Sequence, residues 1–318
     1  MEGTISKNSG AAHAARPVPA PATAAPVKPE VSTLSIVLAL LAIYIIWGST
    51  YLAIRMALLG GFPPFALGAT RFIIAGVAMY LFLRWRGAPN PTRREWLSAA
   101  AVGILLLVGG NGMVMVAEQW VASGLAALAV GAVPIWAVLF AGLWGRWPIK
   151  LEWFGLLLGF AGVVLLNLEG DMRANPWGAA ALIFATASWA FGSVWSKHLH
   201  MPGGMMSSAA QMLVAGVAML GLSFGLSEKF AAVPTTDAFV AAAYLIVFGS
   251  IIGFSAYVFL LKNVRPSMAT SYAYVNPVVA VGLGVWLGSE NITLFGLAAM
   301  GVILAGVAIV MVAKGKSA

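Results

Sequence analysis

Trp47-Gly48-Ser49-Thr50-Tyr51 and Phe191-Gly192-Ser193-Val194-Trp195 each set a Gly-Ser pair between aromatics four residues apart, a spacing that puts both rings on one helix face. Such a face has two uses. Glycine and serine let helices approach closely while the rings fill space, or the rings wall a pocket for an apolar or aromatic ligand. The pattern recurs about 144 residues along, and two aromatic faces related by a repeat are what a pocket between the halves would need, which shifts the reading toward the pocket.

Polar groups that would orient a ligand there are few. Tyr272 and Asn276 share a face, and Asn111 sits in the run Gly109-Gly110-Asn111-Gly112. Hydroxyls and amides bond one another as helix glue, or offer directional contacts to a substrate. Arg71 is a basic residue well inside an apolar stretch, where a guanidinium costs roughly 2.5 to 3.5 kcal/mol at mid-span and calls for a partner or water. It is read either as bonded to helix carbonyls, or as a contact to a substrate carboxylate or a gate pair with Glu118. Its counterpart in the second half is Gln211.

Catalytic sets are missing. Cysteine is absent, which excludes thiol chemistry and disulfides, and no histidine or carboxylate falls in the middle of an apolar stretch. That disfavours an intramembrane enzyme, which would pair serine with a buried base or use two carboxylates. It also leaves no evident buried carboxylate for proton-driven export of cations. One arginine is thin support for a phosphorylated substrate. His198 and His200 are taken as solvated, and no metal or other cofactor is expected.

The elements that must carry these residues are membrane helices. Of 318 residues 61% are hydrophobic and 9% charged, and apolar stretches recur from about residue 33 onward. Gaps between charges and turn residues predict ten spans, near 33–57, 64–85, 94–119, 123–145, 151–169, 176–198, 204–226, 237–262, 267–288 and 292–313. Barrel strands would be half as long and alternate. The run Ala75-Gly76-Val77-Ala78-Met79 returns as Ala215-Gly216-Val217-Ala218-Met219, so the chain reads as an all-α polytopic membrane protein of two five-helix repeats. With five spans each, the repeats must be inverted, the framework of many secondary transporters. Residues 1–31 read as a disordered cytosolic tail, 32–170 as the first repeat and 171–314 as the second.

Charge fixes the expected orientation. With the N-terminus in the cytosol, fourteen of the 18 Lys and Arg fall on inner segments, so both termini are predicted cytoplasmic. Trp85, Trp96, Trp144, Trp147 and Trp153 lie at inner boundaries and Trp120, Trp177 and Trp286 at outer ones, whereas Trp47, Trp136 and Trp189 lie too deep for such a belt. Helix breakers are paired as well. Pro134 and Pro277 recur at matching depth and predict mid-span hinges, and the glycines around Asn111 match Gly249-Ser250 and Gly253. Three glycines in four residues weaken a helix by roughly 1 kcal/mol each relative to alanine. They predict either tight packing or a locally opened segment.

The stretches Ile46 to Tyr51, Gly110-Asn111-Gly112-Met113-Val114, Ser188 to Val194 and Ala269 to Val279 resemble the drug/metabolite transporter superfamily in its ten-helix EamA-type branch. The resemblance covers about residues 34 to 313. It implies inverted repeats, cytoplasmic termini, a bacterial inner-membrane location and efflux of small metabolites or drugs through a cavity lined by spans 1, 3, 4, 6, 8 and 9. The first-span acidic residue of small multidrug exporters has no match here. The expected site comprises Trp47, Ser49, Tyr51, Asn111, Trp136, Trp189, Ser193, Tyr272 and Asn276, with Arg71, Glu118 and Gln211 gating or binding a carboxylate and Pro134 and Pro277 as hinges. The expected partners are a neutral, zwitterionic or amphiphilic small molecule and the lipid bilayer, with no nucleic acid and a homodimer left open. A passive channel is the rival reading.

Overall fold

The computed structural model describes residues 1–3, 32–120, 126, 129–167, 175–279 and 293–313. The chain divides into two units, Met1–Val31 and Ser32–Ala318. Residues 4–31 of the expected tail, most of the start of the fourth predicted span, most of the loop near residue 170, Trp286 and the end of the ninth predicted span lie outside the described residues.

Helices account for most of the described residues of the second unit, and no strand occurs among them. We label them in chain order: α1 (Thr33–Leu59), α2 (Pro64–Trp85), α3 (Arg93–Ala117), α4 (Val133–Gly142), α5 (Lys150–Asn167), α6 (Pro176–Trp195), α7 (Met206–Gly225), α8 (Thr236–Asn263), α9 (the turn Pro266–Ala269 followed by residues 272–279) and α10 (Leu294–Val312). Six are long and apolar enough to cross a membrane: α1, α2, α3, α6, α7 and α8. The chain is therefore a multi-pass membrane protein. Local chemistry sets the starts. Pro64 and Pro176 occupy the first helical position, where no amide hydrogen is needed. Thr92 and Glu95 form a reciprocal capping box at α3, and the Thr235 side chain accepts from the Ala238 amide at α8.

The most extensive helix contacts join α2 to α7 and α5 to α10. Glycine makes them close. A Cβ on Gly76 would lie 2.9 Å from the Leu213 nitrogen, and one on Gly216 would lie 2.7 Å from the Ile73 nitrogen. These contacts are reciprocal, with residues rising along α2 as their partners fall along α7, so the two helices run antiparallel about a local two-fold relationship. Between α5 and α10 the same holds: Gly159 meets Gly306 and Gly162 meets Ile303. The duplicated Ala-Gly-Val-Ala-Met run is thus the seam between its own two copies.

Both α3 and α8 leave the α-helical pattern in mid-course, at Ile104–Gly112 and Leu245–Phe254, where the backbone winds as a π-helix. The glycine clusters lie inside these segments and are tightly packed as well, Gly110 against Trp189 and Gly253 against Trp47, and π segments of this kind gather at functional sites. Of the two prolines, Pro134 departs from the expected mid-helix position. Pro134 stands in the first turn of α4, after a turn at Gly131 and Ala132, so the helix restarts there and is not kinked in its interior. A turn at Thr270 and Ser271 precedes the helical run that holds Pro277. His198 is exposed, as expected, and its ring stacks on Trp144 with centroids 4.6 Å apart.

Candidate functional site

Trp47 of α1 and Trp189 of α6 meet edge to face at 5.5 Å, each seated on the π segment of the opposite half. A Cβ on Gly253 would lie 2.5 Å from the Trp47 Nε1, and one on Gly110 would lie 2.7 Å from the Trp189 ring. The glycines make room for the indoles, which is the physical reason for their concentration here. The Trp47 N–H donates to the Gly249 carbonyl at 3.1 Å. Ser188, beside Trp189, donates to the Leu105 carbonyl at 2.8 Å, so side chains of each half bond the π segment of the other.

Tyr257 and Tyr272 complete an aromatic layer. Tyr272 stands 4.8 Å from Trp47, and Tyr257 stands 5.1 Å from Trp47 and 5.3 Å from Trp189. The Tyr257 hydroxyl receives the Trp189 N–H at 3.0 Å and shares a 2.7 Å bond with Ser193. Sequence reasoning missed Tyr257. It lies one helical turn beyond Gly253, on the face that holds Trp47, and that spacing was the available signal.

A cavity of about 60 Å³ rests against this layer. Trp47, Tyr51, Asn111, Trp189, Tyr272 and Asn276 line it, as does Arg71, together with Thr50, Thr186 and apolar residues. Seven of the expected residues are therefore brought together. Arg71 is buried, its Nε donating to Ser250 Oγ at 2.7 Å and its Nη1 to Asn111 Oδ1 at 3.3 Å. No carboxylate pairs with it among the described residues. The Asn276 Oδ1 is buried and accepts no hydrogen bond there either.

The other expected residues serve elsewhere. Ser49 bonds Tyr244 at 2.6 Å, Trp136 stacks on Phe140, and Ser193 belongs to the far side of the aromatic layer. Gln211 is held by Ser207 and faces a second, wider space of about 1300 Å³ lined also by Arg146, Lys197, Lys262 and Arg265. The gate pair suggested for Arg71 and Glu118 is not made: Arg71 is engaged by Ser250 and Asn111, and both Glu118 oxygens lack partners among the described residues. The reason is reach, since Glu118 sits about two helical turns beyond Asn111 along α3.

The EamA-like transporter family model matches the chain twice, over residues 34–168 and 176–312. This chain belongs to that family. Among EamA-family relatives, it is 47% identical over 279 residues to the uncharacterized inner membrane transporter YedA of Escherichia coli K12, covering 87% of this chain and 90% of that one. It is 24% identical to the uncharacterized transporter YvbV of Bacillus subtilis, over 84% and 88% of the two chains. A crystal structure 23% identical superposes with a TM-score of 0.72, over 89% of this chain and 98% of the other, and establishes the fold alone. The protein is a membrane transporter of the EamA family.

Proposed function

We propose that the protein is a secondary carrier that exports small amphiphilic or zwitterionic metabolites, amino acids or related compounds, or drugs, across a bacterial inner membrane by alternating access. In this reading its ten helical segments are the spans of two inverted five-helix repeats, with both termini cytoplasmic. The antiparallel packing of α2 on α7 and of α5 on α10 supports the inversion.

The observation that carries the substrate class is the meeting, in one cavity, of a guanidinium without a carboxylate partner and a layer of four aromatic rings. Arginine offers a planar fork for a carboxylate. Trp47 and Tyr272 offer faces and edges to an apolar or aromatic group. The volume of about 60 Å³ holds only a few waters, so the cavity, whose wall includes part of the aromatic layer, must widen to take a substrate. Beyond that layer the space of about 1300 Å³, rimmed by basic residues of the predicted cytoplasmic side, is wide enough to admit one. A small cavity at the meeting of the halves and a much wider space among the basic helix ends support a carrier with alternating access over a continuous pore.

The test is counterflow. Proteoliposomes preloaded with unlabelled phenylalanine or tryptophan, with no ion gradient, are given the labelled compound outside. A transient, saturable overshoot is expected. Linear, non-saturating entry would instead favour a channel.

A further inference from the structure

Glu118 ends α3 at the rim of the cavity, one turn beyond Val114, which lines it. It is only 8% exposed, and neither oxygen has a hydrogen-bond partner among the described residues. Burying a bare carboxylate anion away from water is strongly unfavourable unless it is paired or neutralised. The charged and titratable groups around it among the described residues are few. Arg55 and Tyr51 on α1 are within electrostatic range, but Arg55 is exposed and makes no bond to it. Arg71 on α2 is committed to Ser250 and Asn111, and the part of α6 packed on this end of α3 brings no charged side chain.

We propose that Glu118 is a proton-binding site coupled to opening of the cavity at its own end. In the closed arrangement the carboxyl is protonated. When this end opens, water or Arg55 reaches the oxygens and the proton leaves to the aqueous phase on that side. A proton binds the closed form more tightly, so by linkage acid favours closure and alkali favours opening. Charge balance is simple: one proton is taken up on closing and one is released on opening. The inference rests on the carrier reading and adds a pH-dependent control of one opening, the proton being exchanged with a single side and not carried across, and it is tested without transport, so either can fail alone.

The natural absence of cysteine makes the test clean. Val114→Cys reports the cavity and, in a separate variant, Gly3→Cys reports the intrinsic pH dependence of a thiol. Both are labelled with a hydrophilic maleimide in nanodiscs from pH 5.5 to 9. The ratio of the two rates is expected to rise by about tenfold with pH, the scale of moving a minor conformer to dominance. Glu118→Gln should hold the ratio flat and low, and Glu118→Asp should restore its rise. A flat ratio in the protein with Glu118 intact overturns the proposal, whether or not the Gln variant folds, and so does a rise that persists in Glu118→Gln.

Discussion

The Nε of Arg71 donates to the hydroxyl of Ser250 at 2.7 Å, tying α2 of one half to the π segment of α8 in the other. The same hydroxyl lies 3.1 Å from the Leu245 carbonyl, to which it gives its one proton, so its lone pair faces the guanidinium. Asn111 Oδ1, in the matching π segment of α3, accepts from the Nη1 at 3.3 Å. Arg71 therefore touches both π segments at once and stands in the wall of the cavity between them. A substrate carboxylate that engaged it would act on the contact between the halves.

Ser250→Ala tests whether that anchorage serves binding. It removes a bond to a charged donor, worth about 1.5 to 3 kcal/mol, and lets the guanidinium turn. The KM for counterflow is expected to rise roughly tenfold or more, with maximal exchange less affected. A lowered melting temperature with an unchanged KM would make Arg71 a structural clamp only.

Tyr257→Phe removes the hydroxyl that serves Trp189 and Ser193 while keeping the ring in the aromatic layer. The Trp189 N–H is then buried without a partner, at a cost of about 1 to 3 kcal/mol. Thermal unfolding followed by tryptophan fluorescence should shift downward. If the layer is also the barrier between the two cavities, Tyr257→Ala should admit small hydrophilic thiol reagents to a cysteine at Val114 from the opposite end.

Gly253→Ala and Gly110→Ala form a repeat-related pair. Each adds a methyl group where an indole already lies, and a rigid bicycle cannot yield as a flexible chain end would. Overpacking of this sort costs typically about 1 to 3 kcal/mol. Both variants are expected to lose exchange activity in parallel. Loss confined to one would show that the two tryptophans contribute unequally.

Much of this arrangement was legible in the residues. The duplicated Ala-Gly-Val-Ala-Met run announced two halves, and Trp47 and Tyr51 around Gly48-Ser49 do line the cavity, but their repeat counterparts Phe191 and Trp195 pack with Phe140 and Trp144 instead, and it is Trp189 that meets Trp47. Glycine clusters announced irregular helix at α3 and α8. Burial was less legible. Glu118 lies at a helix end in sequence, whereas in the fold, where α6 and α2 pack on that end of α3, it is buried. Nor could spacing separate Trp136, which stacks on Phe140, from Trp189, because both are deep tryptophans and the choice between them depends on the opposite half.

Gly216→Ala and Gly221→Ala separate packing from helix propensity within α7. At Gly216 the new methyl would meet the Ile73 nitrogen at 2.7 Å, backbone that cannot retreat without moving α2, whereas at Gly221 it meets nothing within 4 Å. Alanine alone favours a helix over glycine by up to about 1 kcal/mol. Gly221→Ala should therefore leave the melting temperature unchanged or slightly raised. Gly216→Ala should lower it, and Gly76→Ala should do the same, because the two glycines occupy equivalent places on either side of the seam. An unaffected Gly216→Ala protein would mean that α2 and α7 part readily, and the seam would then be a sliding surface between the halves and not a fixed joint.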